Sequence, residues 1–87
     1  MAELRIGEVV HYYSRAEAAA LKLEAPLRLG DRVYILGHTT DLTATVESME
    51  IDRQQIDSAQ PGDDVAIKVT GRVREGDIVY RETAANI

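Results

Sequence analysis

The sequence predicts an all-β fold, with a small closed barrel favoured over a sandwich. Three Gly-Asp dipeptides occur along the 87 residues, at Gly30-Asp31, Gly62-Asp63 and Gly76-Asp77, and each precedes a short run rich in Val, Ile and Tyr. Glycine reaches positive φ without strain and Asp side chains bond nearby backbone N–H groups, so each dipeptide indicates a turn that leads into a strand. No long helical pattern competes with these strands, and closing the sheet would protect its edges.

Strand patterns recur along the chain. We predict strands over residues 6–13, 18–24, 32–37, 42–49, 65–70 and 78–80. The alternation is clearest where Val65, Ile67 and Val69 take every second position. Neither parity of residues 6–13 is cleanly apolar, which predicts a β-bulge or a strongly coiled strand.

Two segments are ambiguous between strand and helix. Residues 18–24 are rich in Ala, Leu, Lys and Glu, which favour helix, but their apolar residues alternate and Pro26 would stop a helix within a few turns. We therefore predict a strand there. Residues 51–60 are mostly polar, and the spacing of Ile56 and Ala59 suggests a single helical turn that plugs one end of the barrel.

Composition limits both the core and the partners. The chain contains no Phe, Trp or Cys, so we expect a core of Val, Ile, Leu and Ala that includes some of the four tyrosines (Tyr12, Tyr13, Tyr34 and Tyr80), without disulfides or thiolate chemistry. The formal net charge of -5 argues against autonomous nucleic-acid binding, which needs a dense basic face. The sequence shows neither a signal-peptide pattern nor a stretch of membrane-spanning length, so we expect a cytoplasmic protein with no membrane contact.

Four runs of the sequence carry a family resemblance: LRLGDRVYILG, TTDLTATVESMEID, SAQPGDDVAIKVTG and VREGDIVYR. Together they resemble the second domain of elongation factor Tu and related translational GTPases. The matching residues are Gly30, Asp31, Val33, Ile35, Gly37, Val46, Ser48, Met49, Ala59, Gly62, Asp63, Val65, Ile67, Gly76 and Val79. The likeness covers residues 6–81 and is closest to free-standing translation-elongation-factor-like proteins, and a similar barrel is appended to some collagenase-like peptidases.

The resemblance implies a closed six-stranded Greek-key β-barrel. It occupies residues 1–81 as one domain, with residues 82–87 as a flexible tail. The sequence has no phosphate-binding loop of the G-x-x-x-x-G-K-[ST] kind, so we expect no nucleotide hydrolysis and no cofactor. Shared fold does not carry function, so the residues themselves must indicate the site.

The residues indicate binding rather than catalysis. His11 and His38 have no metal-ligand spacing, and the adjacent Asp63 and Asp64 would point to opposite faces of a strand, with Asp63 bonding its own turn. We place a partner-binding site on the loop His38, Thr39, Thr40 and Asp41 and on the arginines Arg53, Arg72 and Arg74. Tyr12 and Tyr13 are candidates for stacking on the bases of single-stranded RNA.

The function we expect is a non-enzymatic binding or adaptor module, linked to translation through the resemblance, that docks on a protein or a ribonucleoprotein. Charge reversal at Arg53 or Arg72 would then weaken docking without unfolding the barrel. The first alternative is an accessory subunit or substrate-positioning domain for a separately encoded peptidase-like enzyme. The second is weak RNA binding through Tyr12 and Tyr13.

Overall fold

The computed structural model describes residues 2–83, and these form an all-β domain without a helix, as the sequence predicts. The strands are β1 (Ala2–Tyr13), β2 (Ala18–Leu23), β3 (Leu27–Arg28), β4 (Arg32–Leu36), β5 (Asp41–Thr45), β6 (Met49–Ile51), β7 (Gln54–Gln55), β8 (Ser58–Ala59), β9 (Asp64–Lys68) and β10 (Ile78–Thr83). Within this range, therefore, no helix is available to cross a membrane.

Antiparallel pairing joins eight of the strands into one curled sheet, in the order β5-β4-β10-β1-β2-β9-β6-β7, while β3 and β8 form a separate pair. Strands β5 and β7 are the two ends of the large sheet. Residues 46–48 connect β5 directly to β6, so the chain itself links the two sides of the sheet. The strand pairings of residues 2–83 do not join β5 to β6 or β7, and closure of the barrel by hydrogen bonds stays a prediction.

An aliphatic core fills the inside of the curled sheet. Alternation along β2, β4 and β9 turns every second residue inward, because successive side chains of a strand point to opposite faces. The buried apolar side chains are Ile6, Val9, Ala19, Leu21, Leu23, Leu27, Val33, Ile35, Val46, Met49, Ala59, Val65, Ile67, Val69, Val73 and Val79. Residues 18–24 thus follow the predicted strand pattern, with Ala19, Leu21 and Leu23 inward.

The three Gly-Asp dipeptides form three copies of one turn. The glycines have φ of 91°, 94° and 93° at Gly30, Gly62 and Gly76. In each copy the Asp N–H donates to the carbonyl three residues earlier, at 3.1, 3.0 and 3.1 Å. The Asp carboxylate in turn accepts the N–H of that same earlier residue at 2.9, 2.8 and 2.8 Å. The predicted bond of Asp63 to its own turn is therefore confirmed, and Asp31 and Asp77 repeat it.

Each turn also clamps a buried residue that lies in a neighbouring strand or directly after it. The Gly30 N–H donates to the Val46 carbonyl at 2.8 Å, and the Val46 N–H donates to the Asp31 carbonyl at 2.9 Å. Gly62-Asp63 holds Leu23 in the same way, at 2.9 and 2.9 Å, and Gly76-Asp77 holds Val9 at 2.8 and 2.8 Å. Two residues facing one, with a left-handed glycine first, is the pattern of a G1 β-bulge. These three bulges start β4, β9 and β10.

Strand β1 contains the irregularity that its mixed parity predicts. Its register shifts between Arg5 and Gly7 against β10, and between Val9 and His11 against β2. Ile6 and Val10 are therefore the extra residues. Ile6 and Val9 can consequently both be buried although they lie three residues apart.

Three features differ from the sequence-based expectations. The predicted strand over residues 42–49 is divided, because β5 ends at Thr45 and Met49 begins β6. The predicted helical turn around Ile56 and Ala59 is wrong, because Ser58 and Ala59 pair with Arg28 and Leu27 as a short β-ladder. Strand β10 continues to Thr83, since Glu82 and Thr83 pair with the start of β1. The segment 82–87 therefore begins with two strand residues, and residues 84–87 lie outside the described range.

Replacing the turn glycines tests the conformational basis of the three bulges. An added Cβ meets no atom within 4 Å at Gly30, Gly62 or Gly76, so alanine would suffer backbone strain alone. We expect each substitution to lower the free energy of unfolding by about 1–2 kcal/mol, because left-handed backbone is strained for residues with a Cβ. Urea unfolding measures this. The Gly30→Asn variant is the control, because Asn adopts left-handed backbone more readily than alanine does, and a loss equal to that of Gly30→Ala would contradict the explanation.

Candidate docking groove

A groove of about 620 Å³ lies on the outer face of β2, β9 and β6. Its floor is made by Ala18, Ala20 and Ala66, which alternation turns outward while their neighbours enter the core. Ala20 lies directly opposite Ala66 across the β2–β9 ladder. Because three methyl groups end close to the backbone, this part of the sheet is lower than its surroundings. The depression therefore follows from the positions of the alanines.

Longer side chains on both sides give the groove its walls. Tyr13, at the end of β1, lies opposite Ala18 and is 50% exposed. The far wall is the hairpin of β6 and β7, with Glu50, Asp52 and Arg53. Lys68 and Asp64 complete the rim from β9. An aromatic ring and two cations thus surround a small apolar floor, with three carboxylates among them.

The hairpin tip holds Arg53 in a backbone conformation that arginine rarely adopts. Asp52 and Arg53 have φ of 51° and 66° and form the two-residue loop between the paired Ile51 and Gln54. Positive φ at both loop positions is the type I′ hairpin turn, in which Asp is favoured first and glycine second. Arginine here carries strain that glycine would not. Because arginine occupies the position where glycine is favoured, the loop contributes a charged side chain to the groove wall.

Two other ionisable contacts lie beside the groove or away from it. The His11 Nδ1 is 3.1 Å from a Glu75 carboxylate oxygen, and its ring packs edge-on against Tyr13 with centroids 4.5 Å apart. The Tyr34 hydroxyl donates to Glu82 at 3.0 Å, and this bond raises the pKa of Tyr34 above its ordinary value. Within residues 2–83, His, Asp and Glu do not gather in a group of three that could hold a metal ion.

Two of the predicted partner-binding residues meet at the groove, and the others lie elsewhere. Tyr13 and Arg53 face each other across the alanine floor. Tyr12 points to the opposite side of β1 and packs against the core, so the two tyrosines do not form a common stacking surface. Arg72 and Arg74 are exposed in the connection between β9 and β10, where the Arg74 backbone belongs to the third Gly-Asp turn.

The predicted partner-binding residues His38, Thr39, Thr40 and Asp41 lie away from the groove lining. Asp41 is the first residue of β5 and pairs with Leu36, so only residues 38–40 belong to the connection between β4 and β5. A backbone hydrogen bond of 2.9 Å from the Gly37 N–H to the Thr40 carbonyl closes it. Thr40 is buried, and the other three residues are exposed. Gly37 lies against the Asp77 carboxylate, so the loop packs on the third Gly-Asp turn.

Sequence reasoning missed the floor and the acidic part of the rim. The small residues Ala18, Ala20 and Ala66 all stand at outward positions of predicted strands, and that regularity could have indicated a depression. Glu50 and Asp64 resemble ordinary exposed acids in the sequence. Only the pairing of β2 with β9, and of β9 with β6, brings them to one surface.

Curated proteins similar to this chain are proteolytic enzymes of greater length. An uncharacterized protease of Methanocaldococcus jannaschii is 37% identical over 79 residues, which is 90% of this chain and 19% of the protease. A collagenase of Porphyromonas gingivalis is 31% identical over 81 residues, 91% of this chain and 20% of the collagenase. The chain thus spans about a fifth of the length of these relatives. No family model matches the sequence.

Solved structures show the same fold. The C-terminal domain of a Geobacillus thermoleovorans protein assigned to the U32 peptidases superposes with a TM-score of 0.85 at 22% identity, covering 92% of this chain and 93% of that domain. GDP-bound aIF5B of Aeropyrum pernix gives a TM-score of 0.63 at 20% identity, covering 95% of this chain and 15% of that one. The expected likeness to a barrel appended to peptidase-like proteins is confirmed. Membership of the elongation factor Tu second-domain family stays a prediction.

The left-handed backbone of Arg53 leads to a prediction about the stability of the protein. We expect Arg53→Gly to raise the free energy of unfolding by about 1 kcal/mol, since it relieves left-handed strain but adds chain entropy to the unfolded state. Thermal or urea unfolding measures the change. Gln54→Gly, one position later in β7, is the control and should destabilise the protein. A loss of stability in Arg53→Gly would contradict the type I′ interpretation.

Proposed function

We propose that this chain is a non-catalytic β-barrel module that positions a polypeptide substrate for a peptidase-like protein, and that it docks on that protein through the groove. The observation that carries the proposal is the extent of the similarity. Relatives 31–37% identical to nearly the whole chain are named as a protease and a collagenase, and the matched part is about a fifth of each. In these relatives the part that matches this chain is small beside the rest of the protein, and this size ratio supports an accessory role for the matching part.

The groove presents two side chains of the types that are enriched in protein interfaces, Tyr13 and Arg53, beside a small apolar floor. Protein interfaces combine an apolar centre with a polar rim and are enriched in aromatic residues and arginine. Here the alanine floor supplies the centre, and Tyr13 and Arg53 supply the side chains most often found as energetic anchors. The rim charges are mixed, with Arg53 and Lys68 against Glu50, Asp52 and Asp64. Such a rim favours a protein partner with charges of both signs over a polyanion.

A translation-associated adaptor is supported less. It rests on the fold likeness to aIF5B, which has 20% identity and covers 15% of that protein. Many unrelated functions share one fold, so this likeness by itself does not assign a role. If the module docks on a ribonucleoprotein, its binding to that partner should be lost when the RNA is digested.

Charge reversal in the groove tests the docking role. The tagged chain is used to capture partners from extract of its native cells, with and without nuclease. We expect it to retain a peptidase-like protein in both conditions, and Arg53→Glu to weaken the purified complex about tenfold, the usual order for an interface arginine. Calorimetric titration of the purified pair gives the affinity.

Arg72→Glu is the matched control for this experiment. The sequence analysis expects this variant also to weaken docking, but Arg72 is exposed and lies outside the groove lining, so docking through the groove predicts the same affinity as for the unchanged protein. Both variants should keep the free energy of unfolding within about 0.5 kcal/mol, as surface substitutions usually do. Equal binding by Arg53→Glu and the unchanged protein would remove the groove from the docking role. Capture of ribosomal or tRNA-modifying proteins, lost on nuclease treatment, would favour the translation-associated alternative.

A further inference from the structure

Among residues 2–83, one edge of strand β5 takes part in no strand pairing, and this edge borders a second cavity. Strand β5 is the last strand at one end of the large sheet and pairs with β4 on one side only. A cavity of about 300 Å³, here called the edge cavity, lies along it and is lined by Thr43, Ala44 and Thr45. Lys68 and Thr70, at and beyond the end of β9, form the opposite wall. The edge cavity thus occupies the space between β5 and β9 where the sheet is not joined by a ladder.

The backbone of Thr43 and Thr45 faces this cavity. Val46 directs both its N–H and its carbonyl toward the Gly30-Asp31 turn, which begins β4. Residues of an antiparallel pair alternate between hydrogen-bonded and non-hydrogen-bonded positions, so Ala44 and Leu42 also bond to β4, whereas Thr45 and Thr43 point the other way. The same alternation predicts that Thr40 bonds toward β4, and the Thr40 carbonyl does accept a hydrogen bond from the N–H of Gly37, the residue after β4. Each of the two threonines therefore offers one donor and one acceptor at the free edge.

We propose that the free edge of β5 binds an extended acidic peptide by strand addition in the edge cavity. Edge strands bind extended peptides because the peptide backbone supplies donors and acceptors at the spacing of the sheet, while alternate side chains give specificity. Two residues of the peptide, separated by one, would exchange backbone hydrogen bonds with Thr43 and Thr45. The intervening side chain points toward the barrel interior, and the two bonded residues point outward beside the threonines.

The charges around the edge cavity choose an acidic peptide. Arg32 lies directly opposite Thr45 in the β4–β5 ladder and so shares its outer face. Lys68 faces the same space from β9, and Glu47 is the one acid among the lining residues. Within residues 2–83, the ion pairs involve neither Arg32 nor Lys68. A carboxylate on the added strand next to Thr45 would meet two cations that are otherwise exposed.

Lys68 also lines the docking groove, so the two cavities are neighbours on the surface. A peptide held at β5 would therefore lie next to any protein seated in the groove. This placement deepens the proposed function, on which its biological role rests, by naming an extended acidic peptide as the substrate class. Binding of the peptide itself depends only on this chain.

The test uses a capped seven-residue peptide of alternating valine and glutamate with the full chain. We expect it to slow amide hydrogen exchange at Thr43 and Thr45 but not at exposed amides of the 38–39 loop. A peptide with lysine in place of glutamate should bind about tenfold more weakly, since it meets like charges. Uniform slowing, or equal binding of the lysine peptide, would overturn the proposal. Displacement by an oligouridine of equal charge would overturn it as well.

Substitution at the edge separates backbone pairing from charge attraction. Proline is tolerated on an edge strand where its missing N–H faces solvent, so Thr43→Pro should fold yet bind the peptide about tenfold more weakly. Thr43→Val keeps the N–H and should bind normally. A second form of the test leaves the protein unchanged and uses a peptide that is N-methylated at every valine and glutamate, so that its backbone has no N–H donors for the β5 edge. Full-strength binding by that peptide would overturn the proposal.

The two proposals fail separately. Peptide binding with no capture of a peptidase-like protein would remove the proposed function and leave the β5 site in place. Capture that is sensitive to Arg53→Glu, together with no peptide binding at millimolar concentration, would do the reverse.

Discussion

The fold depends on one pair of backbone hydrogen bonds that occurs three times. In each copy the N–H of a left-handed glycine donates to the carbonyl of a buried residue in or directly after the adjacent strand, and the N–H of that residue donates to the carbonyl of the Asp that follows the glycine. Because the Asp carboxylate also holds the N–H at the start of its turn, turn and bulge form one rigid unit. The clamped residues Val46, Leu23 and Val9 are all in the core. The three units thereby start β4, β9 and β10 in register with β5, β2 and β1, respectively. The chain has no Phe, Trp or Cys, so neither large aromatic residues of these types nor disulfides help to align the strands.

Register then determines what the surface can bind. Since a strand register fixes which residues face outward, the second unit, which sets β9 against β2, places Ala66 beside Ala20 and creates the floor of the groove. The first unit sets β5 against β4 and thereby turns the backbone of Thr43 and Thr45 toward the edge cavity. Groove and edge cavity share Lys68 and are therefore adjacent on the surface. The residues that line both cavities are therefore positioned by short turns that lie elsewhere in the sequence.

The sequence indicated the turns and the regular strands because their signals are local. Gly-Asp reports a backbone conformation directly, and alternation in residues 65–69 reports one buried face. The β6–β7 hairpin escaped prediction because its loop is Asp52-Arg53, with arginine where glycine is the recognisable signal. The pairing of β3 with β8 escaped because two-residue strands show no period. Arg53 and Tyr13, both predicted as partner-binding residues, line the groove, but the alanine floor between them depends on strand order, which a single sequence does not encode locally.

Amide hydrogen exchange of the free protein tests the central role of the three clamps most directly. The six donors are the N–H groups of Gly30, Gly62, Gly76, Val46, Leu23 and Val9. If the clamps hold the strands in register, all six open only when the whole domain unfolds, with exchange free energies within about 1 kcal/mol of the global free energy of unfolding. Exchange of these amides through local opening, as fast as the exposed amide of His38, would contradict the account.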